Sequence, residues 1–88
     1  METFFVYVLY SRAHDRLYIG YTTNLAGRLK SHNELATKGF TVRYRPWVLL
    51  HSEEFDSKRE ALAREKALKS GQGRQYIRTQ LLPRLLSD

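Results

Sequence analysis

Glu65 is a carboxylate in a costly place. The segment Ser57–Lys69 has helical spacing, and at about 100° per residue Glu65 falls near the middle of the arc set by Ala61, Leu62 and Leu68. That arc is the face expected to turn toward a sheet. A carboxylate there is unfavourable unless paired, protonated or bound to a cation. Two readings stay open: a rim glutamate paired with a nearby arginine, or an oxygen ligand for one hard cation, Mg²⁺ or Mn²⁺. In the second case phosphate oxygens and waters would fill the remaining positions. Four more side chains could join a polar cluster. Tyr7 and Tyr18 lie on neighbouring extended segments, and Arg28 and His32, spaced i, i+4, share one helix face. Taken singly, the tyrosines read as strand packing, Arg28 as a solvated charge and His32 as a satisfied polar residue.

The elements that must hold these residues can be read from pattern. Thr3–Ser11 is dense in β-branched and aromatic residues, which predicts a strand covered on both faces. By period two, Phe5, Tyr7 and Leu9 share one face, and Phe4, Val6, Val8 and Tyr10 the other. Arg12–Arg16 is a polar break, and Leu17–Tyr21 completes a hairpin. Thr22-Thr23-Asn24 offers helix caps before a helix over Leu25–Ala36, which Lys38-Gly39 ends. Trp47–His51 reads as a third strand, apolar on both faces at its start and therefore central. Ser57-Lys58-Arg59-Glu60 matches a capping box for a helix to about Lys69, closed by a Gly71-Gln72-Gly73 break. A short helix with Ile77 and Leu81 on one face follows, interrupted near Pro83. The expected fold is α+β, a mixed αβ sandwich: a three-stranded antiparallel sheet flanked by helices, in the order β-β-α-β-α-α.

Composition narrows the partners. With 88 residues, positions 1–88 form one domain with a thin core. Fifteen Lys and Arg against nine Asp and Glu give a net charge of +6, which favours a polyanion. The absence of cysteine excludes disulfide frameworks, zinc ribbons and thiol nucleophiles. The longest apolar run, Phe4–Tyr10, is far too short to span a membrane, and no signal peptide is visible, so a cytoplasmic location is expected.

The five candidates coincide with a known pattern. Phe5-Val6-Tyr7, Tyr18-Ile19-Gly20, Asn24-Leu25 with Arg28 and His32-Asn33, and then Arg64-Glu65-Lys66 together resemble the GIY-YIG endonuclease superfamily. The likeness runs from Phe5 to about Ile77 and is greatest to the small stand-alone members, the URI or YhbQ-like, UPF0213 type. It also implies the three-stranded antiparallel sheet. Two departures stand out. Phe5 occupies a position where many members have glycine, and Tyr21 follows the second motif where the excision-repair nuclease subunit has lysine. The role of that lysine is then either absent here or supplied from elsewhere, by Lys30 or Arg43.

The resemblance implies a divalent-metal-dependent endonuclease that hydrolyses DNA with low sequence specificity, on single or double strands. Tyr7 would be the general base or position the water, with Tyr18 in its hydrogen-bond network. Arg28 would stabilise phosphoryl charge, Glu65 would hold one Mg²⁺ or Mn²⁺, and His32 would tune a tyrosine or hold the phosphate. A phenol ionises near pH 10, so base action at neutral pH would need cationic neighbours. Between Ser57 and Gln80 seven Lys or Arg face two Glu, a local excess of five positive charges. Lys30, Arg43, Arg45, Lys66, Lys69 and Arg74 are the candidate nucleic-acid contacts, with Thr41, Tyr44 and Trp47 as candidate sugar or stacking groups. The alternative is a catalytically weak nucleic-acid-binding domain on the same fold. An RNA-binding module lacks its RNP1 run here, and a peripheral membrane role lacks a broad apolar helix face. Leu81, Leu82, Leu85 and Leu86 could close the core or form a dimer contact.

Overall fold

The apolar first strand organises the molecule. The computed structural model describes residues 2–87. It contains β1 (Phe4–Ser11), β2 (Arg16–Thr22), α1 (Leu25–Lys30) running into a π turn (Ser31–Leu35), α2 (Phe40–Arg43), β3 (Val48–Phe55), α3 (Lys58–Lys69) and α4 (Gly71–Tyr76). A second π turn (Ile77–Leu81) leads into α5 (Leu82–Leu86). The three strands form one antiparallel sheet in the order β2-β1-β3 with helices packed on it, an α+β fold. The expected order is kept, with α2 added and the C-terminal helix broken into pieces.

The face assignment from period two holds. Val6, Val8 and Tyr10 point into a core shared with Leu17 and Ile19 of β2, Ala61 and Leu68 of α3, and Ile77, Leu81 and Leu82. Tyr7 and Leu9 point the other way, against Trp47, Leu25 and Leu29. Leu81 and Leu82 are therefore core residues, while Leu86 is exposed.

Two expectations are corrected. The central strand is β1, and β3 lies at an edge. Trp47 suggested a strand apolar on both faces, but it precedes β3 and belongs to the smaller core. The strand itself alternates and continues through the polar run His51–Glu54, because pairing with β1 supplies its ladder bonds. The Gly71-Gln72-Gly73 segment does end α3, but it is also the first turn of α4. Ser70 accepts from the Gly73 amide to start the new helix. A Cβ on Gly73 would lie 2.2 Å from the Ala67 carbonyl oxygen, so glycine is what lets α4 fold back onto α3.

An ion-pair brace joins β3 to α3. The Arg64 guanidinium grips Glu53 with two bonds, Nε to Oε1 at 2.9 Å and Nη2 to Oε2 at 3.1 Å, and His51 Nε2 lies 2.7 Å from Oε2. Burial works against the Glu53 charge, but the bonds from Arg64 and His51 outweigh it and hold the carboxyl below its ordinary value. The folded form thus binds the proton later than the unfolded chain. Its stabilisation is present above the ordinary glutamate range and is lost as the pH falls through the lowered value. Glu53→Gln should cost about 1 kcal/mol at neutral pH. In urea titrations the gap from wild type should close as the medium is acidified below the carboxylate range; a gap unchanged at low pH would rule out the ion pair as its source.

Candidate active site

Tyr7 lies at the middle of β1 and pairs across the ladder with Gly20 of β2. Its side chain is buried to 1% exposure and its hydroxyl sits 2.9 Å from His32 Nε2. The other ring nitrogen, Nδ1, lies 3.0 Å from Thr41 Oγ1. Burial is the largest factor raising the Tyr7 hydroxyl above the ordinary phenol value. Tyr18 and the Glu65 carboxylate push the same way, and the Arg28 guanidinium pulls it down. Burial, with Arg28 and Arg45 nearby, holds His32 below the ordinary imidazole value. A protonated phenol facing a neutral imidazole fixes the direction of the bond: Tyr7 donates to Nε2, and Nδ1–H donates to Thr41.

Tyr18, two residues before Gly20 and on the same face, completes the aromatic cluster. Its ring centroid is 4.6 Å from that of His32 and 6.1 Å from that of Tyr7. It is only half-buried, so it is the tyrosine open to solvent. The π turn presents His32 inward, and its carbonyls are held by Arg45, which donates to the main chain of Ser31, His32 and Ala36. Asn33 locks the same turn to Trp47, donating to its carbonyl and accepting from its amide. Trp47 Nε1 in turn donates to the Thr41 carbonyl.

Of the five residues singled out for catalysis, Tyr7, Tyr18 and His32 form one cluster, and Arg28 and Glu65 lie within electrostatic reach of it. His32 bonds Tyr7, and Tyr18, Arg28 and Glu65 all act electrostatically upon it. Glu65 is partly buried, its side chain 17% exposed, and lies 3.4 Å from Lys69 Nζ. Both nitrogens of His32 are engaged within the fold, so it supports Tyr7 and is not free to grip a phosphate.

The nucleic-acid candidates separate into three groups. Arg45 is taken up by main-chain carbonyls, and Thr41 and Trp47 are buried in the same network. Lys69 and Arg74 line a cavity of about 410 Å³ beside Tyr18, together with Arg16 and Arg78. Lys30, Arg43 and Lys66 are exposed and line neither this cavity nor the second basic one. A second cavity, about 520 Å³, holds Arg28, Tyr21 and Lys58. Sequence reasoning missed Lys58 in this place. It stood in a capping box and a charge tally, and nothing local signals that the start of α3 shares a cavity with Arg28.

The catalytic-domain profile of the GIY-YIG family matches residues 3–77. The chain belongs to the GIY-YIG family. A UPF0213 protein of Bacillus velezensis is 44% identical over 82 residues, 88% of this chain and 82% of that one. One from Staphylococcus haemolyticus is 36% identical over 78 residues, 89% and 94% respectively. Among solved structures, the solution structure of a UPF0213 protein of Bacillus halodurans superposes with a TM-score of 0.53 at 28% identity, covering 85% of this chain and 81% of that one. The protein is a small GIY-YIG domain of the UPF0213 type, a nuclease family whose substrate is nucleic acid.

In this GIY-YIG domain the two motif tripeptides meet across the β1–β2 ladder at a single pair, Tyr7 and Gly20, which explains the glycine of the second. A Cβ on Gly20 would lie 2.7 Å from the Tyr7 hydroxyl and 2.9 Å from its Cζ. The ring cannot swing aside cheaply, because it is buried and tied to His32. Gly20→Ala should therefore cost about 1–3 kcal/mol in chemical denaturation. Combining it with Tyr7→Phe should recover part of that loss, since the nearest atom is the hydroxyl that Phe lacks. Strictly additive losses would show that the contact is not the cause.

Proposed function

We propose that this domain is a divalent-metal-dependent endonuclease that hydrolyses DNA phosphodiester bonds with low sequence specificity. The observation that carries the proposal is the convergence of Tyr18, Arg28, His32 and Glu65, from β2, α1, its π turn and α3, on the hydroxyl of Tyr7. A packing tyrosine needs none of these polar groups around it.

The roles follow from placement. Water attacks phosphorus in line, the bond to the 3′ oxygen breaks, and the products carry a 5′ phosphate and a 3′ hydroxyl. Tyr7 accepts the water's proton as it passes its own to His32 Nε2, so no free phenolate has to form in a buried site. The lowered basicity of His32 keeps that nitrogen unprotonated and ready at neutral pH. Tyr18 orients the attacking water from the solvent side. Arg28 neutralises charge that builds on the phosphoryl oxygens.

Glu65 is the residue that would hold one Mg²⁺ or Mn²⁺. The donor set suits a hard cation that keeps most of its shell as water and phosphate oxygen, since no cluster of three acidic or histidine side chains occurs among the described residues. When bound, the cation would polarise the phosphate and offset charge on the leaving oxygen. Low specificity follows from cations suited to phosphates, contacts that carry no sequence information. No helix of the described residues is long and apolar enough to cross a membrane.

Single-stranded and supercoiled DNA should be nicked or cut by wild type with Mg²⁺ or Mn²⁺ and not in EDTA. Glu65→Ala and Tyr7→Phe should each slow cleavage by about 10²-fold or more while binding persists. Wild type that shifts both DNAs yet cuts neither with any metal would make the domain a binding module. Full-rate cleavage by Glu65→Ala would place the metal elsewhere.

A further inference from the structure

Two basic cavities open on either side of the Tyr7 cluster, and both are walled by β2. One takes its β2 lining from Arg16–Ile19 and adds Lys69, Arg74 and Arg78. The other takes Tyr21 and Thr22 of β2 and adds Arg28 and Lys58. The residue between the two linings is Gly20, the one beside the Tyr7 hydroxyl. At about 3.3 Å per residue the two linings are centred roughly 13 Å apart. Because β2 is an edge strand, nothing in the sheet covers this side of it.

The charges lining these cavities are unequal in their commitments. Arg78 is bound to Asp15 at 3.0 Å, and Lys69 to Glu65. Arg16, Arg74, Arg28 and Lys58 have no carboxylate partner among the described residues. Arg74 donates only to the Lys69 carbonyl, and Arg16 lies over the Tyr44 ring. Glu2 is the acidic residue of one cavity and Asp15, already held by Arg78, that of the other. One cavity therefore offers Arg16 and Arg74 to an anion, and the other offers Lys58 beside the Arg28 already given to the reacting phosphate, with the reacting centre between them.

We propose that one substrate strand runs along the β2 edge, with a phosphate on each side of the reacting one held in these cavities. Lys58, beside Arg28, grips the backbone at one end, and Arg74, with Arg16, grips it at the other. This path rests on the nuclease reading above and adds to it which residues hold the flanking backbone. It also supplies a cation beside Tyr21 from α3, where neither Lys30 nor Arg43 lines the cavity. Lys66, exposed on α3 and lining neither cavity, lies off the path.

The test is the salt dependence of binding, measured in EDTA so that no cleavage occurs. Fluorescence anisotropy of a labelled single-stranded oligonucleotide would be followed for wild type, Lys58→Gln, Arg74→Gln, the double variant and Arg84→Gln, an exposed charge lining neither cavity. Each of the first two should lower the slope of log K against log salt by about 0.7, and the double variant by about 1.4, with Arg84→Gln unchanged. A methylphosphonate one linkage to either side of the cut should then slow wild-type cleavage roughly tenfold. Lys58→Gln should be insensitive to the neutral linkage on one side and Arg74→Gln to that on the other. If both variants keep the wild-type slope, or both couple to the same side, the path is overturned while the nuclease reading stands. If wild type binds no DNA at low salt, both fall together.

Discussion

A phenol taken almost wholly out of water must place its proton on a partner, and in this protein the partner is His32. That bond joins the middle of the central strand to the π turn after α1. The imidazole in turn reaches Thr41, and the Thr41 carbonyl receives the indole N–H of Trp47. Each group in the chain is satisfied only if the next is in place, because an unpaired buried polar atom costs far more than a made hydrogen bond returns. The turn, α2 and the segment entering β3 are therefore fixed relative to β1 by polar contacts as much as by apolar ones. Arg45 and Asn33 complete the arrangement, the first donating to carbonyls of the π turn and the second bonding both main-chain groups of Trp47.

The two faces of β1 divide the work. The face toward α3 and the C-terminal helices is filled by aliphatic side chains and Tyr10, with Phe4, Tyr21 and Phe55 at its margin. On the opposite face the buried apolar side chains among the described residues are Tyr7, Leu9 and Trp47, and the polar network of His32 and Thr41 runs through it. In so small a domain a single core has little stability to spare. Keeping the buried polar groups out of the larger core leaves that core free to hold the sheet and α3 together. Glu65 sits on the helix that packs this larger core, and its charge is nevertheless felt at Tyr7 on the other face.

Much of this was legible in the sequence where the signal was local. Alternation in Phe4–Tyr10 correctly parted Tyr7 from Val6 and Val8, and the Ser57 cap located the start of α3. The helical wheel drew attention to Glu65, which is partly buried as expected, although Leu62 on the same arc is more exposed than a core residue. What failed was information that only tertiary contact supplies. An arginine aimed at carbonyls and one aimed at phosphates look alike in sequence, so Arg45 was grouped with the substrate contacts. Trp47 raised the apolarity of the third strand without being part of it, and strand order has no local signature at all. Gly73 looked like a helix breaker because glycine is a poor helix former. Its reason for being there is the close approach of two helices, which appears only once both are in place.

The glycine of β2 shows how the parts of the site constrain one another. Tyr7 can lie flat across the ladder only because the facing residue has no Cβ. Lying there, its hydroxyl comes to the junction of the π turn, the β2 edge and the field of Glu65, and there it is too well buried to ionise freely. Were Tyr7 to act as a base there, a second base would have to stand behind it, and His32 is bonded to it, neutral, and supported in turn by Thr41. The same burial that raises the phenol's affinity for its proton also excludes solvent from the hydrogen bond along which the proton would leave. In this fold the handicap and its remedy therefore come from one packing decision, the missing Cβ at Gly20.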